Sequence, residues 1–186
     1  RGSVSRESFY HIPIPFQNET RETEKFLGLA RALGVVAENR TLEMCPSVED
    51  EAAADAFISA HPVLQNKPCV GLFIGGKSER EDRLWPISHW VGLANRLKEK
   101  GVRVIAICPP PPKGASAQTL FAEEHQRMEA FSQALGWSCP TVQEASVLRA
   151  AAFIKRFHLF VCPDGGMFHV SAAVGTPTLG DRKSTR

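Results

Sequence analysis

The chain has 186 residues, of which 43% are hydrophobic and 23% charged, a composition that suits one globular domain with a partial second one. The net charge is only +2 and the longest basic run is the terminal DRKSTR, so we expect no nucleic-acid partner; a small polyanionic ligand stays open. No apolar stretch is long enough to cross a bilayer and no signal-peptide pattern opens the chain.

Five cysteines without a C-x-x-C pair predict reduced core thiols in a cytoplasmic protein: Cys45, Cys69, Cys108, Cys139 and Cys162.

Residues 1–66 are predicted to form a connector and part of an N-terminal region. The stretch SFYHIPIPF is apolar but is interrupted by two prolines, which favours an edge or linker over a central strand. Apolar spacing predicts a helix over 20–34 and another over 47–60, the second opening with a capping box of Ser47 and Asp50.

Residues 67–186 are predicted to form a Rossmann-like α/β domain, because strand-like and helix-like segments alternate as in a parallel sheet flanked by helices. Ser88 is expected to cap the first of these helices, and Gly101 and Gly136 to end the first two. The chain stops just after a predicted inner strand, so we expect the domain to be truncated. Strands are predicted over 69–74, 102–108, 140–142, 159–162 and 176–180, and helices over 88–100, 119–135, 146–157 and 167–174.

The stretch GLFIGGKS at 71–78 satisfies the P-loop pattern G-x-x-x-x-G-K-[ST]. A phosphate-binding loop must be followed by a helix at its Lys-Ser pair, yet Pro86 interrupts the polar segment that follows. The LFI residues inside the pattern continue an apolar run. We therefore interpret the stretch as a buried strand that opens into a polar loop, on which Gly76, Lys77 and Ser78 are candidate ligand contacts.

The most informative stretch is LFVCPDGGMFHVSAAV, in which a strand ends at a turn and a helix begins at once. Gly165 and Gly166 let a ligand approach the backbone, and the helix start favours negative charge. His169, in the first turn, could donate a hydrogen bond or positive charge to a phosphate. The alternative is structural: Asp164 caps the helix, the glycines form a turn, and the histidine belongs to the core.

Two motifs make the sequence resemble glycosyltransferase family 9, the heptosyltransferases of bacterial lipopolysaccharide. The first is LFIGG followed by the tetrapeptide Arg83-Leu84-Trp85-Pro86 and a helix. The second is a strand, the segment from Asp164 to His169, a helix of small residues and Gly175-Thr176-Pro177. Their order and spacing fit the family over about residues 67–180.

This resemblance implies a GT-B enzyme with two facing Rossmann-like domains, of which the present chain is the C-terminal, donor-binding half plus a connector. By position, Asp164, Gly165, Gly166 and His169 would hold the donor pyrophosphate, and Arg83 would replace the family's phosphate-binding lysine. The implied partners are a nucleotide sugar such as ADP-heptose and a glycolipid acceptor. The implied enzyme is cytoplasmic and bacterial, uses no cofactor and, lacking a DXD pair, no metal.

The sequence also departs from the family pattern. Gly165 stands where the family has a hydroxyl residue, which removes one phosphate hydrogen bond of about 1 kcal/mol. The segment PPPPKG lacks the acidic residue that faces the ribose, and the next carboxylates are Glu123 and Glu124. The family's general base lies in the missing domain, so the catalytic residues are unknown and we expect no transfer by this chain alone. A non-catalytic nucleotide-binding remnant and a GT-B-like nucleotide-sugar epimerase remain alternatives.

Other readings of individual side chains are structural. Arg83 could form a surface ion pair with Glu79 or Asp82, and Lys77 could be solvent-exposed. Trp85 and Trp90 are expected to pack the loop and helix onto the sheet rather than to stack on a base.

Overall fold

The computed structural model describes residues 22–36, 40–61, 68–75, 84–111 and 122–181. The chain divides into two compact units, Arg1–Thr41 and Leu42–Arg186. In the first unit the described residues form helix α1 (Glu22–Ala32), which confirms the predicted helix over 20–34. Most of this helix's large apolar side chains are exposed, among them Phe26 and Leu29. The segment SFYHIPIPF lies outside the described residues.

The second unit contains alternating helices and strands, as the sequence predicts. The predicted domain boundary at residue 66 falls after α2, whereas the compact unit begins at Leu42 and includes this helix; the role of residues 1–66 as a connector stays a prediction. The elements are α2 (Val48–Ala60), β1 (Cys69–Phe73), α3 (Ile87–Glu99), β2 (Arg103–Cys108), α4 (Ala122–Leu135), β3 (Thr141–Gln143), α5 (Val147–Ile154), β4 (Leu159–Pro163), α6 (Gly166–Ala173) and β5 (Thr178–Asp181).

The five strands form one parallel sheet in the order β3-β2-β1-β4-β5. The chain runs outward from β1 to β3 and then crosses back through α5 to add β4 and β5 on the other side of β1. Val70 is therefore paired with Leu159, and Leu72 with Val161. The predicted Rossmann-like parallel sheet is confirmed, and its strand order reverses between β1 and β4, where such sheets bind ligands at the carboxyl ends of the strands.

Helices cover both faces of this sheet and bury two apolar cores. On one face, α3 and α4 place Trp90 and Phe131 against β1 and β2. On the other face, α5, α6 and α2 surround Phe160 of β4 and Ile154 of α5. The rings of Trp85 and Trp90 meet edge to face at 5.1 Å, which confirms that these tryptophans pack the loop and helix onto the sheet.

The helix ends confirm most of the predicted signals and correct one. Ser47 and Asp50 form the predicted capping box at α2, and Gly101 and Gly136 adopt positive φ angles of 70° and 73° at the ends of α3 and α4. The prediction that Ser88 caps α3 is wrong. The helix begins one residue earlier, at Ile87, so Ser88 already lies inside its first turn. The N-cap is Pro86, whose ψ of 144° is extended and whose carbonyl accepts hydrogen bonds from the amides of His89 at 3.0 Å and Trp90 at 3.3 Å.

The cysteines are free thiols, but they do not all lie in the core. Burial raises the pKa of Cys69 to about 11, and Cys108 and Cys162 are also buried. The prediction of a core position is wrong for Cys45, which is exposed in the coil before α2. Within the described segments, none of the helices combines the length and the apolar character needed to span a membrane.

Ion pairs fasten α2 to α5. Arg156 donates to Asp55 Oδ1 at 2.6 Å and also bonds Glu51, while Lys155 Nζ lies 2.8 Å from Glu51 Oε1. Hydrogen bonds from Lys155 and Arg156 lower the pKa of Glu51, and those from Arg156 lower the pKa of Asp55. The folded protein therefore stabilises the ionised form of both carboxylates relative to the unfolded chain.

We predict that acid weakens this attachment. Because the folded-state pKa of Glu51 lies below its ordinary value of 4.5, its contribution to stability is present above that pH and is lost as pH falls through the lower, folded-state pKa. Glu51→Gln should lower the free energy of unfolding at pH 7 and flatten its decline below pH 4.5, as measured by urea denaturation across pH. Glu49→Gln, at an exposed position in the same helix, is the control; equal pH profiles for the two variants would contradict the assignment.

A second prediction concerns close packing at β1. A Cβ added at Gly71 would overlap the ring of Phe157, whereas one added at Gly92 in α3 meets no heavy atom within 4 Å. Gly71→Ala should therefore destabilise the domain by about 1–3 kcal/mol through overpacking. Gly92→Ala should stabilise it by about 0.5–1 kcal/mol, because alanine loses less backbone entropy in a helix. Urea denaturation of both variants checks the opposite signs, and a neutral Gly71→Ala would refute the packing.

Candidate functional site

A cavity of about 550 Å³ lies at the carboxyl edge of the sheet. It runs from the β4–α6 turn past the ends of β1 and β2 to the β3–α5 turn, so four consecutive strands of the sheet contribute to it. Its described lining consists of Phe73, Gly75, Leu84, Ile107, Cys108, Pro109, Glu124, Glu144, Ala145, Ser146, Val147, Ala150, Pro163, Asp164, Gly165, Gly166, Met167 and Val170.

The β4–α6 turn brings three of the predicted site residues together in this lining: Asp164, Gly165 and Gly166. Gly165 is the N-cap of α6 and has an extended backbone with φ 171° and no side-chain cap. A Cβ added at either glycine meets no heavy atom within 4 Å. Neither backbone strain nor protein packing requires these glycines, and the space in front of the helix start is open to a ligand.

The other predicted residues are not gathered in the same way. His169 is exposed on α6 and lies outside the cavity lining; its ring meets that of Phe168 edge-on at 6.0 Å. It is therefore not a core histidine, and its contact with a ligand stays a prediction. Arg83, Gly76, Lys77 and Ser78 lie outside the described residues.

Carboxylates at two further points of the lining, Glu124 and Glu144, were not predicted as site residues. Glu124 stands in the first turn of α4, where its Cγ would lie 3.1 Å from a Cβ added at Gly75. Glu144 follows β3; its amide donates to the carbonyl of Cys108 at 3.0 Å and its Oε1 accepts from Ser146 N at 2.8 Å. Both follow strands and precede or begin helices, which is the signal that could have identified them.

Burial, followed by the charge of neighbouring carboxylates, raises the pKa of two thiols near the cavity. Burial, and then the charge of Glu124, raises the pKa of Cys108 to about 11. Burial, and then the charge of Asp164, raises the pKa of Cys162 to about 12. Both thiols therefore stay protonated at neutral pH and are poor nucleophiles.

The remaining lining is largely apolar and comes from β1, β2, α5 and α6. Phe73 and Met167 contribute partly exposed apolar side chains, whereas Ile107 is only 2% exposed. In the described ranges, His, Cys, Asp and Glu side chains form no group of three that could hold a metal ion. The cavity thus offers a helix start for an anion, carboxylates for hydroxyl or amino donors, and an apolar surface between them.

The fold is an open parallel α/β sheet with a switch point between β1 and β4, a class in which ligands bind at the carboxyl edge of the sheet. Residues 11–180 match the family described as glycosyltransferase family 9 (heptosyltransferase). The chain belongs to this family. The matched region begins well before residue 67, where the two sequence motifs alone place the start of the resemblance.

Known relatives support the same assignment. The chain is 26% identical over 158 residues to the lipopolysaccharide core heptosyltransferase OpsX of Haemophilus influenzae, an alignment that covers 83% of this chain and 40% of OpsX. Its fold is similar to that of a family 9 glycosyl transferase from Veillonella parvula, with a TM-score of 0.72 at 18% identity over 90% of this chain and 45% of the other.

The E. coli heptosyltransferase WaaC, solved with ADP-2-deoxy-2-fluoro heptose, is a further structural relative. Its TM-score is 0.57 at 21% identity over 93% of this chain and 48% of WaaC. At these identities the structural likeness establishes the fold, and the predicted GT-B class is confirmed. The chain spans less than half the length of each of these three relatives.

Proposed function

We propose that this domain binds the nucleotide diphosphate of a sugar donor, and that it serves an enzyme that transfers heptose from ADP-heptose to a lipopolysaccharide core acceptor in the bacterial cytoplasm. The observation that carries the proposal is the cavity at the switch point. It joins the open start of α6 at Gly165 and Gly166 to an apolar wall and to carboxylates on its other sides.

The diphosphate belongs at the start of α6. Amide groups and the helix dipole favour an anion there and in this proposal outweigh the opposing charge of Asp164 in the same turn, whereas Glu124 and Glu144 disfavour an anion at the other points of the lining. A departing nucleoside diphosphate gains negative charge as its bond to the sugar breaks, so preorganised donors at this point stabilise the leaving group. Arg83 and His169 add positive charge or hydrogen bonds in this proposal, and no metal is needed.

In this proposal the nucleoside lies in the rest of the cavity, between the ends of β1 and β2 and the start of α4. Phe73, which is partly exposed, gives the base an apolar surface. Glu124 is an acceptor for ribose hydroxyls, and it supplies from the first turn of α4 the carboxylate that the segment PPPPKG lacks. In this proposal the helix start, Glu124 and the apolar lining of the cavity match the phosphate, the ribose and the base of a nucleotide in that order.

Among the relatives, WaaC has been solved with ADP and with ADP-2-deoxy-2-fluoro heptose, and OpsX is named as a lipopolysaccharide core heptosyltransferase. We carry ADP-heptose and the lipopolysaccharide acceptor from these relatives to the present chain as part of the proposal. The residues of the cavity support the diphosphate and nucleoside parts of that donor.

We predict that calorimetry detects binding of ADP and ADP-heptose to the purified chain. Arg83→Ala and His169→Ala should each weaken ADP binding by about 1–3 kcal/mol if their side chains meet phosphate. The control is Arg96→Ala, at an exposed position near the end of α3 that leads away from the cavity. Unchanged affinity in both site variants would remove those two residues from the site.

The same preparation separates the proposal from its alternatives. ADP binding without transfer to a lipopolysaccharide acceptor supports a donor-binding domain and also fits a non-catalytic remnant. Transfer by the isolated chain would show a complete enzyme. Conversion of a nucleotide sugar in the absence of acceptor would support an epimerase. Absence of binding to any nucleotide diphosphate would contradict the proposed function.

A gain of affinity provides a further prediction. The open space at Gly165 and its extended backbone accept a side chain, and the family has a hydroxyl residue there. Gly165→Ser should tighten ADP binding about fivefold, because a hydroxyl bond to a charged phosphate is worth about 1 kcal/mol or more. Gly165→Ala is the matched control without the hydroxyl; equal effects of serine and alanine would place the phosphate elsewhere.

A further inference from the structure

Arg127 on α4 joins two separate parts of the cavity wall. Its Nε donates to the carbonyl of Ile74 at 3.1 Å and its Nη2 donates to the carbonyl of Trp85 at 2.8 Å. Ile74 directly precedes Gly75 and Trp85 directly follows Leu84, and both Gly75 and Leu84 line the cavity. One guanidinium therefore holds two backbone points, one after β1 and one before α3, that border the same cavity.

Neither of these carbonyls is fixed by a strand or helix. Ile74 lies just beyond β1, and Trp85 lies before the N-cap of α3. Hydrogen bonds from a charged donor are stronger than those between neutral groups, and an arginine fork can serve two acceptors at defined angles. A lysine at the same point presents a single ammonium group and cannot reproduce that geometry.

The side chains around Arg127 are packed in the core, while Arg127 bonds the backbone carbonyls that border the cavity. The side chain of Ile74 is 1% exposed and Trp90, which meets the ring of Trp85 edge-on, is fully buried. The side chains of Ile74 and Trp85, next to Gly75 and Leu84, thus pack in or against the core. Arg127 fixes the orientation of their carbonyl groups, and so the position of the backbone that faces the cavity. Glu124, one turn earlier on α4, lines the same cavity.

We propose that Arg127 is a positioning residue that fixes the backbone at Gly75 and Leu84 and thereby sets the geometry of the ligand cavity. This inference rests on the proposed function for the identity of the ligand, ADP. Arg127 itself is absent from the described lining, so its effect on ADP passes through the wall that it holds.

The test compares Arg127→Lys and Arg127→Met with Arg156→Met. Arg156 is a control of the same type: it too bonds several acceptors, including Ala152 O at 2.7 Å, but it ties α5 to α2 and lies outside the cavity lining. ADP affinity is measured by calorimetry well below each variant's Tm. Arg127→Met should raise the Kd of ADP about tenfold and Arg127→Lys by less, whereas Arg156→Met should lower the Tm and leave the Kd within twofold of the original.

A second readout needs no ligand. In a Trp137→Phe background the tryptophan fluorescence comes from Trp85 and the fully buried Trp90. Acrylamide quenching should increase when Arg127 is replaced by Met and should not change in Arg156→Met. If the original chain does not bind ADP, the proposed function fails and quenching alone decides the role of Arg127.

The outcomes that overturn the proposal are specific. An unchanged Kd in Arg127→Met, with the unmodified chain binding ADP, would show that Arg127 contributes to stability alone. Unchanged quenching would show that the wall does not depend on it. If Arg127→Met does not fold, Arg127→Lys is judged by the same two measurements, and failure of both variants to fold would make Arg127 a folding residue instead.

Discussion

The parallel pairing of β1 with β4 is the constraint on which the rest of the domain depends. It joins strands that are separated along the chain by two other strands and three helices, in the register Gly71 to Phe160. The close approach of Phe157 to Gly71 leaves no room for a side chain at that glycine. Because the pairing aligns the carboxyl ends of both strands, Gly75 and the Asp164 turn border one cavity.

The charges of the cavity divide it into regions with different chemistry. The amides and dipole at the start of α6 favour an anion although Asp164 adds a negative charge to that turn, while carboxylates at the β3–α5 turn and on α4 favour hydroxyl or amino donors. Burial, and then the charge of a neighbouring carboxylate, raises the pKa of Cys108 and of Cys162. The nucleotide diphosphate that we propose as the ligand fits this division, because its charge is confined to one end.

The sequence predicts most elements of the fold because apolar runs alternate with amphipathic segments and because glycines and prolines mark their ends. The β4–α6 turn could be predicted since strand, turn and helix start are contiguous in the chain. Glu144 carries a local signal, since it follows a strand and precedes a helix. Arg127 could not be predicted, because its place beside the cavity depends on the tertiary packing that puts α4 beside the end of β1. The cap at α3 is not marked in the sequence, because the helix begins at Ile87, before Ser88, and its N-cap Pro86 makes no side-chain capping hydrogen bond.

The central claim is that the start of α6 receives the diphosphate of a nucleotide. Its most direct test is an amide proton–nitrogen NMR titration of the nitrogen-labelled chain with ADP, with adenosine as the reference ligand. The account predicts that ADP shifts the amide signals of Gly165, Gly166 and Met167 strongly and that adenosine, which lacks phosphate, leaves them nearly unmoved. Equal shifts with both ligands, or ADP shifts confined to residues away from this turn, would contradict it.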